Sequence, residues 1–391
     1  MAANAILCGS LSRHLVRRGH RVSVLAGPPL EIQDEDFQTT RDRATSHIYR
    51  PAGVYKKRGG LVRRIMSFGR LYVAVLHHAL THSDYNAVIV LTEPPMIYLA
   101  ALLFKMRSRT RVVLWSLDCY PEVAVEAGVI RRHGMVHRLM KALNRWGYPF
   151  LDAVVALDDD MAEHLTAGGA RNVVVIHNWE SAEDYGDISH EERVRFRSSL
   201  GLKDDDVFVL YLGNMGVAHE FATILDAIRQ VSVTTPQVKV VFIGGGARKA
   251  EVIEYLEKHQ ISDIIVSDFV SKKKTRIALG SCDLGLVTLR REMVGLVTPS
   301  KVYGYLAMSV PVLFVGPSKS EVGSVIAKTG CGGIFELGDV RGLSDYLAQR
   351  PQCKAELQVQ GTQGRAFFLN NYEASVILPK FEVLLDRVVN A

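Results

Sequence analysis

The stretch from Asp283 to Ser324 constrains the fold more than any other part of the chain. An apolar run, Asp283-Leu-Gly-Leu-Val-Thr-Leu, leads through a loop to the polar turn Thr298-Pro299-Ser300-Lys301. A short segment with helical spacing follows, and a second apolar run, Val310 to Val315, closes the unit. Short apolar runs separated by a helical segment read as buried parallel strands joined by a crossover helix. The helix is expected to open at or near Pro299, because proline is tolerated in the first helical turn, where its missing N–H costs nothing. Helix N-termini attract anions. Ser300 and Lys301 stand where a phosphate would meet that end, with Lys301 supplying a point charge. A solvated turn that merely caps an ordinary helix fits the same four residues.

The same alternation runs through most of the 391 residues and starts over once. The order at the amino end is helix first (Asn4 to Arg18), then strand (Arg21 to Ala26). A parallel α/β domain usually begins with the strand that feeds its first helix. A strand and a Gly-rich loop are therefore expected ahead of Asn4. Leu30 to Tyr55 is polar and reads as an irregular surface excursion. Strands are expected at Ala87 to Leu91, Arg111 to Leu117, Ala153 to Leu157 and Val173 to Ile176, with helices at Val136 to Tyr148 and Asp160 to Ala167. Ser181 to Ser199, charged and poor in apolar residues, reads as a linker. Strands at Val207 to Leu212, Val238 to Ile243 and Ile264 to Val266 then open a second run. The last helix, Tyr372 to Val389, is expected to pack back on the first half. The fold class is thus α/β with two doubly wound domains, residues 1–185 and 200–370.

Composition limits the function. Apolar content of 48% and charged content of 23% are those of a globular protein. No apolar run reaches ~20 residues, so no transmembrane helix is expected. The five cysteines are scattered and form no C-x-x-C pair, which suits reduced thiols. The net charge of +6 favours an anionic partner. No nucleic-acid partner is expected, because basic and aromatic residues do not interleave as in single-strand binders. Lys56, Lys57, Arg58, Arg63 and Arg64 lead into a helix rich in Leu, Val, Ile, Phe and Tyr. That combination suits an interfacial helix at anionic lipid, and equally a core helix with a solvated basic lead-in. No clustered ligand spacing points to a metal.

Ligands in parallel sheets bind beyond the carboxyl ends of strands. Asp118 and Glu122, after the strand ending at Leu117, are candidates for acid–base or acceptor-hydroxyl contacts, or else a loop cap and a first-turn helix charge. Gly213-Asn214-Met-Gly216 and Gly244-Gly245-Gly246-Ala-Arg248 follow two strands of the second half, where backbone can approach a phosphate closely. Neither half carries G-x-G-x-x-G after a strand, which argues against a dehydrogenase.

Gly213-Asn-Met-Gly-Val-Ala-His219 together with Thr298-Pro-Ser-Lys-Val-Tyr-Gly-Tyr-Leu-Ala…Pro311-Val resembles family 4 glycosyltransferases of the GT-B fold, closest to the colanic-acid and O-antigen branch. Asp118-x-x-Pro121-Glu122 with Gly128, and Asn178-Trp179, fit the same branch, and the resemblance runs from about residue 5 to the end. It implies two Rossmann-like domains facing across a cleft. It implies a retaining transferase moving a hexosyl or aminohexosyl unit from a UDP- or GDP-linked sugar to a polyprenyl-diphosphate-linked saccharide, peripheral at the cytoplasmic face of the inner membrane, with no cofactor. Two departures stand out. Leu296 and Gly304 occupy the places of the family's E-x7-E pair, and Asn214 and His219 (or a neighbour of it) those of its usual diphosphate-binding Arg and Lys. Ribose binding is then expected from Glu321, and phosphate neutralisation from Lys301, Arg248 and the Gly244–Gly246 backbone. These departures also leave open a non-catalytic GT-B-like subunit that partners another transferase.

Overall fold

Parallel strands covered on both faces need near-continuous apolar sequence, and the strands of this chain have it. The computed structural model describes residues 3–26, 47–49, 61–261 and 264–391. In the amino-terminal lobe, β1 (Ser23–Leu25) pairs in parallel with β2 (His47–Tyr49). β3 (Ala87–Leu91), β4 (Arg111–Trp115), β5 (Ala153–Ala156) and β6 (Val173–Val175) form a four-stranded parallel sheet in that order. Among the described residues no strand joins the two sheets. Residues 47–49, inside the stretch expected to be irregular, thus form a strand that pairs with β1, whereas most of that stretch lies outside the described residues. The helices of this lobe are α1 (Ala3–Arg17), α2 (Leu61–Thr81), α3 (Tyr98–Arg107), α4 (Glu122–Glu126), α5 (Met135–Gly147) and α6 (Asp159–Ala167).

The carboxy-terminal lobe opens with α7 (His190–Ser199), where a linker is expected from sequence. Ser189 and Glu192 form a capping box at its start. The helix is held less by apolar packing than by charge: Arg193 and Arg197 each reach Asp283, both at 2.9 Å. Arg197 is buried and also donates to the carbonyl of Asp206 at 2.7 Å. Low apolar content therefore disguises a helix whose anchors are guanidinium groups.

Six parallel strands follow: β7 (Val207–Leu212), β8 (Val238–Ile243), β9 (Ile264–Ser267), β10 (Leu284–Thr288), β11 (Val312–Val315) and β12 (Gly332–Phe335). Their order is β12-β11-β10-β7-β8-β9, so the first and fourth strands of the lobe are neighbours at the centre. The covering helices are α8 (Ala222–Thr234), α9 (Lys249–Lys258), α10 (Lys272–Ser281), α11 (Lys301–Ala307), α12 (Glu321–Thr329), α13 (Val340–Gln349) and α14 (Lys354–Asn371). The turn before α11 is longer than expected: Pro299 precedes the helix, which opens at Lys301 and spans seven residues.

The chain then returns. In α15 (Ala374–Asn390), Phe381 packs edge-on against Trp115 and Trp179, with ring centroids 4.9 and 5.7 Å away. Glu382 pairs with Arg18 at 3.0 Å and with His14 at 3.4 Å. The last helix is thereby fastened to the amino-terminal lobe.

Candidate active site

In a doubly wound sheet the crevice forms where strand order reverses, because the loops leaving the two central strands diverge. Here that point lies between β7 and β10. His219, from the loop after β7, is buried. Its Nδ1 lies 2.7 Å from the carbonyl oxygen of Thr288 at the end of β10. A carbonyl only accepts, so Nδ1 carries the hydrogen and Nε2 presents a lone pair. That lone pair faces Lys301 Nζ at 2.8 Å. Burial, with Lys301 adding to it, pushes the His219 pKa down to about 3, and the ring stays neutral.

The Lys301 ammonium has three neutral neighbours: the His219 ring, the Asn214 carbonyl oxygen at 3.3 Å and the face of Tyr211, whose centroid is 4.9 Å away. Among the described residues no carboxylate pairs with it. The side chain is partly open to the cleft, yet burial pulls its pKa down to about 7. The site thus holds a cation whose counter-charge is missing.

The glycines around it serve backbone approach. A Cβ on Gly244 would lie 2.0 Å from the Gly213 carbonyl oxygen, and one on Gly246 would lie 2.4 Å from that of Met215. The Gly244–Gly246 turn is pressed against the first loop, with Met215 N–H donating to the Gly245 carbonyl at 2.7 Å. A Cβ on Gly213 would meet Lys301 Cε at 3.0 Å, and one on Gly216 the Asn214 amide at 2.8 Å. Arg248 is engaged: it pairs with Glu251 at 2.7 Å and donates to the His219 carbonyl.

The facing wall comes from the amino-terminal lobe. Asp118 forms an isolated bridge with Val297, and Cys119 N–H donates to the Leu296 carbonyl at 2.9 Å. Burial, and then the charge of Glu93, push the Asp118 carboxyl up to about 6. Thr298 donates its hydroxyl to Asp158, whose other oxygen caps α6 by accepting from Met161 N–H at 2.8 Å. Asp158, Asp160, Gly295, Pro299, Glu321 and Val322 help line a small cavity between the lobes. Ser300 is exposed, and its side chain makes no capping bond to α11.

Two candidates lie away from the Lys301 cluster. Glu122 sits 3.6 Å from both Lys141 and His164. Burial raises its pKa, but the His164 hydrogen bond and neighbouring charges bring it below the ordinary value overall. Glu321 accepts from the Tyr372 hydroxyl at 2.7 Å and lies 3.6 Å from His177, beside the returning chain. Lys56, Lys57 and Arg58 lie outside the described residues. Arg63 and Arg64 fall in the first turn of α2, where the side chains are likewise not described.

Sequence reasoning passed over Arg290 and Asp158. Arg290 donates to the Val217 carbonyl at 3.2 Å and lies 3.9 Å from Glu126 across the cleft. Its place just beyond β10 was the available signal. For Asp158, the signal was an acidic N-cap in front of an apolar helix.

Comparison with known proteins agrees with this architecture. Residues 7–179 match the family described as Glycosyl transferase 4-like domain, and residues 192–365 match Glycosyl transferases group 1. A probable glycosyltransferase, WbjE of Pseudomonas aeruginosa, is 27% identical over 298 residues, covering 76% of this chain and 73% of the relative. A putative colanic acid biosynthesis glycosyl transferase, WcaI of Escherichia coli, is 22% identical over 330 residues, covering 81% and 80%. Among solved structures, Anabaena HepE in complex with UDP and glucose superposes with a TM-score of 0.72 at 13% identity, covering 98% of this chain and 96% of that one. WaaG, a glycosyltransferase involved in lipopolysaccharide biosynthesis, does so at 0.67 and 14%, with the same coverage. With two consecutive family matches across two lobes and a crevice at the β7–β10 reversal, the chain belongs to the family 4 glycosyltransferases of the GT-B fold.

Proposed function

We propose that this transferase moves a sugar from a UDP- or GDP-linked donor, with retention, to a polyprenyl-diphosphate-linked saccharide at the cytoplasmic face of the inner membrane. The observation that carries the donor half is Lys301, held by neutral groups at the switch point and lacking a counter-ion. A donor diphosphate supplies that counter-charge. As the C1–O bond to the diphosphate breaks, negative charge grows on the departing oxygens. A pre-placed cation stabilises that charge more than the ground state. The acceptor hydroxyl forms the new bond to C1 on the same face, and its proton passes to a leaving phosphate oxygen. Asp118, largely ionised at neutral pH, orients that hydroxyl as a hydrogen-bond acceptor. This reading uses no metal, and it leaves ribose contacts to Glu321 and the glycine loops.

Lys301→Met tests it. Turnover is expected to fall at least about 100-fold, ~2.7 kcal/mol of transition-state stabilisation. The thermal shift produced by UDP or GDP should vanish, while the melting temperature of the unliganded protein holds or rises because a poorly solvated amine is gone. Unchanged rate and nucleotide affinity would remove the assignment. Running both nucleotides on the wild type distinguishes the donor class.

A further inference from the structure

Helix α5 carries apolar residues on its outer face as well as its inner one. Met135, Leu139, Ala142 and Trp146 recur at i, i+4, i+7 and i+11 and so share one face. That face points to solvent: Met135 is 85% exposed, Leu139 58% and Trp146 61%. Phe150, also exposed, extends the stripe, with its ring centroid 5.3 Å from that of Trp146. The edge turned inward is mixed, with Met140 and Leu143 packed against the core beside buried polar groups. His137 and Asn144 are buried there, and Asn144 accepts from the Tyr98 hydroxyl at 2.8 Å and donates to the Tyr120 carbonyl at 2.7 Å. Interior contacts therefore do not explain the apolar stripe.

The charge around the stripe indicates what covers it. Between Glu126 and Asp152 the chain carries five basic residues and no acidic one. Arg138 and Arg145 border one side of the apolar face and, among the described residues, form no ion pair. A second copy docked two-fold across α5 would add its own Arg138 and Arg145 to the interface, with no acidic residue between Glu126 and Asp152 to pair with them. An anionic lipid surface accepts both parts, with arginines at the headgroups and Met, Leu and Trp below them. We infer that α5 lies in the headgroup layer of an anionic bilayer and is the element that seats the amino-terminal lobe on the membrane. This rests on the membrane-linked acceptor proposed above and names the surface that meets it. The buried edge of α5 holds the loop carrying Asp118 through Asn144 and Tyr120, so the seat and the acceptor side of the cleft are joined.

The test is co-sedimentation of the full chain with phosphatidylglycerol and with phosphatidylcholine vesicles. The wild type should bind the anionic vesicles at least tenfold better, and binding should fall with added salt. The triple variant M135S/L139S/W146S should lose at least tenfold of that binding, with an unchanged melting temperature. R138S/R145S should flatten the salt dependence. A triple variant that binds like the wild type overturns the inference, and R63S/R64S then shows whether α2 does the seating instead. A wild type that binds neither vesicle also overturns it, as does a dimer that the triple variant converts to monomer in light scattering. Turnover on a detergent-solubilised acceptor separates this from the transferase reading. A triple variant active in detergent but slow on vesicle-embedded acceptor supports the inference. A wild type inactive in detergent counts against the proposed reaction, and the vesicle result still decides the docking surface.

Discussion

The two ends of β10 treat positive charge in opposite ways. At the amino end, Arg197 is buried beside Asp283 at 2.9 Å, and Asp283 also accepts the Phe208 N–H at 2.8 Å. Donors and acceptors there are matched. At the carboxyl end, Lys301 lies against a neutral imidazole, a carbonyl and an aromatic face, with no carboxylate partner among the described residues. The first arrangement is complete without a ligand and fastens α7 to the sheet. The second is complete only when an anion arrives. Compensation therefore marks a structural pair, and its absence marks a binding site.

The contrast is broken most severely at the compensated end. Asp283→Ala leaves Arg197 buried without its partner and should destabilise the fold by about 3–5 kcal/mol, read by urea unfolding. Nucleotide affinity of the folded fraction should change little, since the five-residue strand separates the two ends by roughly 16 Å. A large loss of nucleotide affinity without a loss of stability would show that the two ends are not separate.

At the uncompensated end the readout is pH. Lys301 in the empty protein is half neutral near pH 7, and a bound diphosphate holds it protonated, so binding takes up a proton above that pH. UDP or GDP affinity should thus fall as pH rises from 7 to 9, approaching tenfold per unit, ~1.4 kcal/mol. Calorimetry in that window checks it, and a wild-type affinity that stays flat from pH 7 to 9 would overturn it. The group also tilts stability. Its folded pKa lies below the unfolded value, so the unfolded chain binds more protons between about 7 and 10.5, and stability rises with pH there.

The smallest expected effect sharpens the contrast from across the cleft. Asp118 titrates near 6 when folded and near 3.8 when unfolded, so the native chain binds more protons in that window. Its contribution to stability therefore falls as pH rises through the window. Asp118→Asn should flatten this dependence by about 1 kcal/mol in thermal unfolding, the carboxyl being partly open to solvent. The same variant should slow turnover. Unchanged turnover would leave Asp118 as a packing group only.

Much of the fold was legible because strands buried on both faces have little choice of residue. β3, β7 and β8 match the expected runs end to end, as the apolar stretches start and stop with the ladder. Where burial is achieved by charge, the signal fails. Ser181 to Ser199 reads as a linker because the anchors of the helix within it are arginines. β2 was hidden in polar sequence at three residues long. The site was legible as a set of loops at strand ends, but the individual roles were not. Arg248 is consumed by Glu251, and Glu122 is drawn towards Lys141 and His164.

The sequence by itself determined the alternation of strands and helices and the loops that follow β7 and β10. Periodicity and turn chemistry are local, and local order carries them. Only the tertiary structure decided which face of α5 meets solvent and whether Lys301 finds a partner. Both depend on residues far apart in the chain: Lys301 meets His219 across 82 positions, and the inner side of α5 is tied through Asn144 to Tyr120 and Tyr98. Burial and charge compensation are sums over neighbours in space, fixed only when the sheets close.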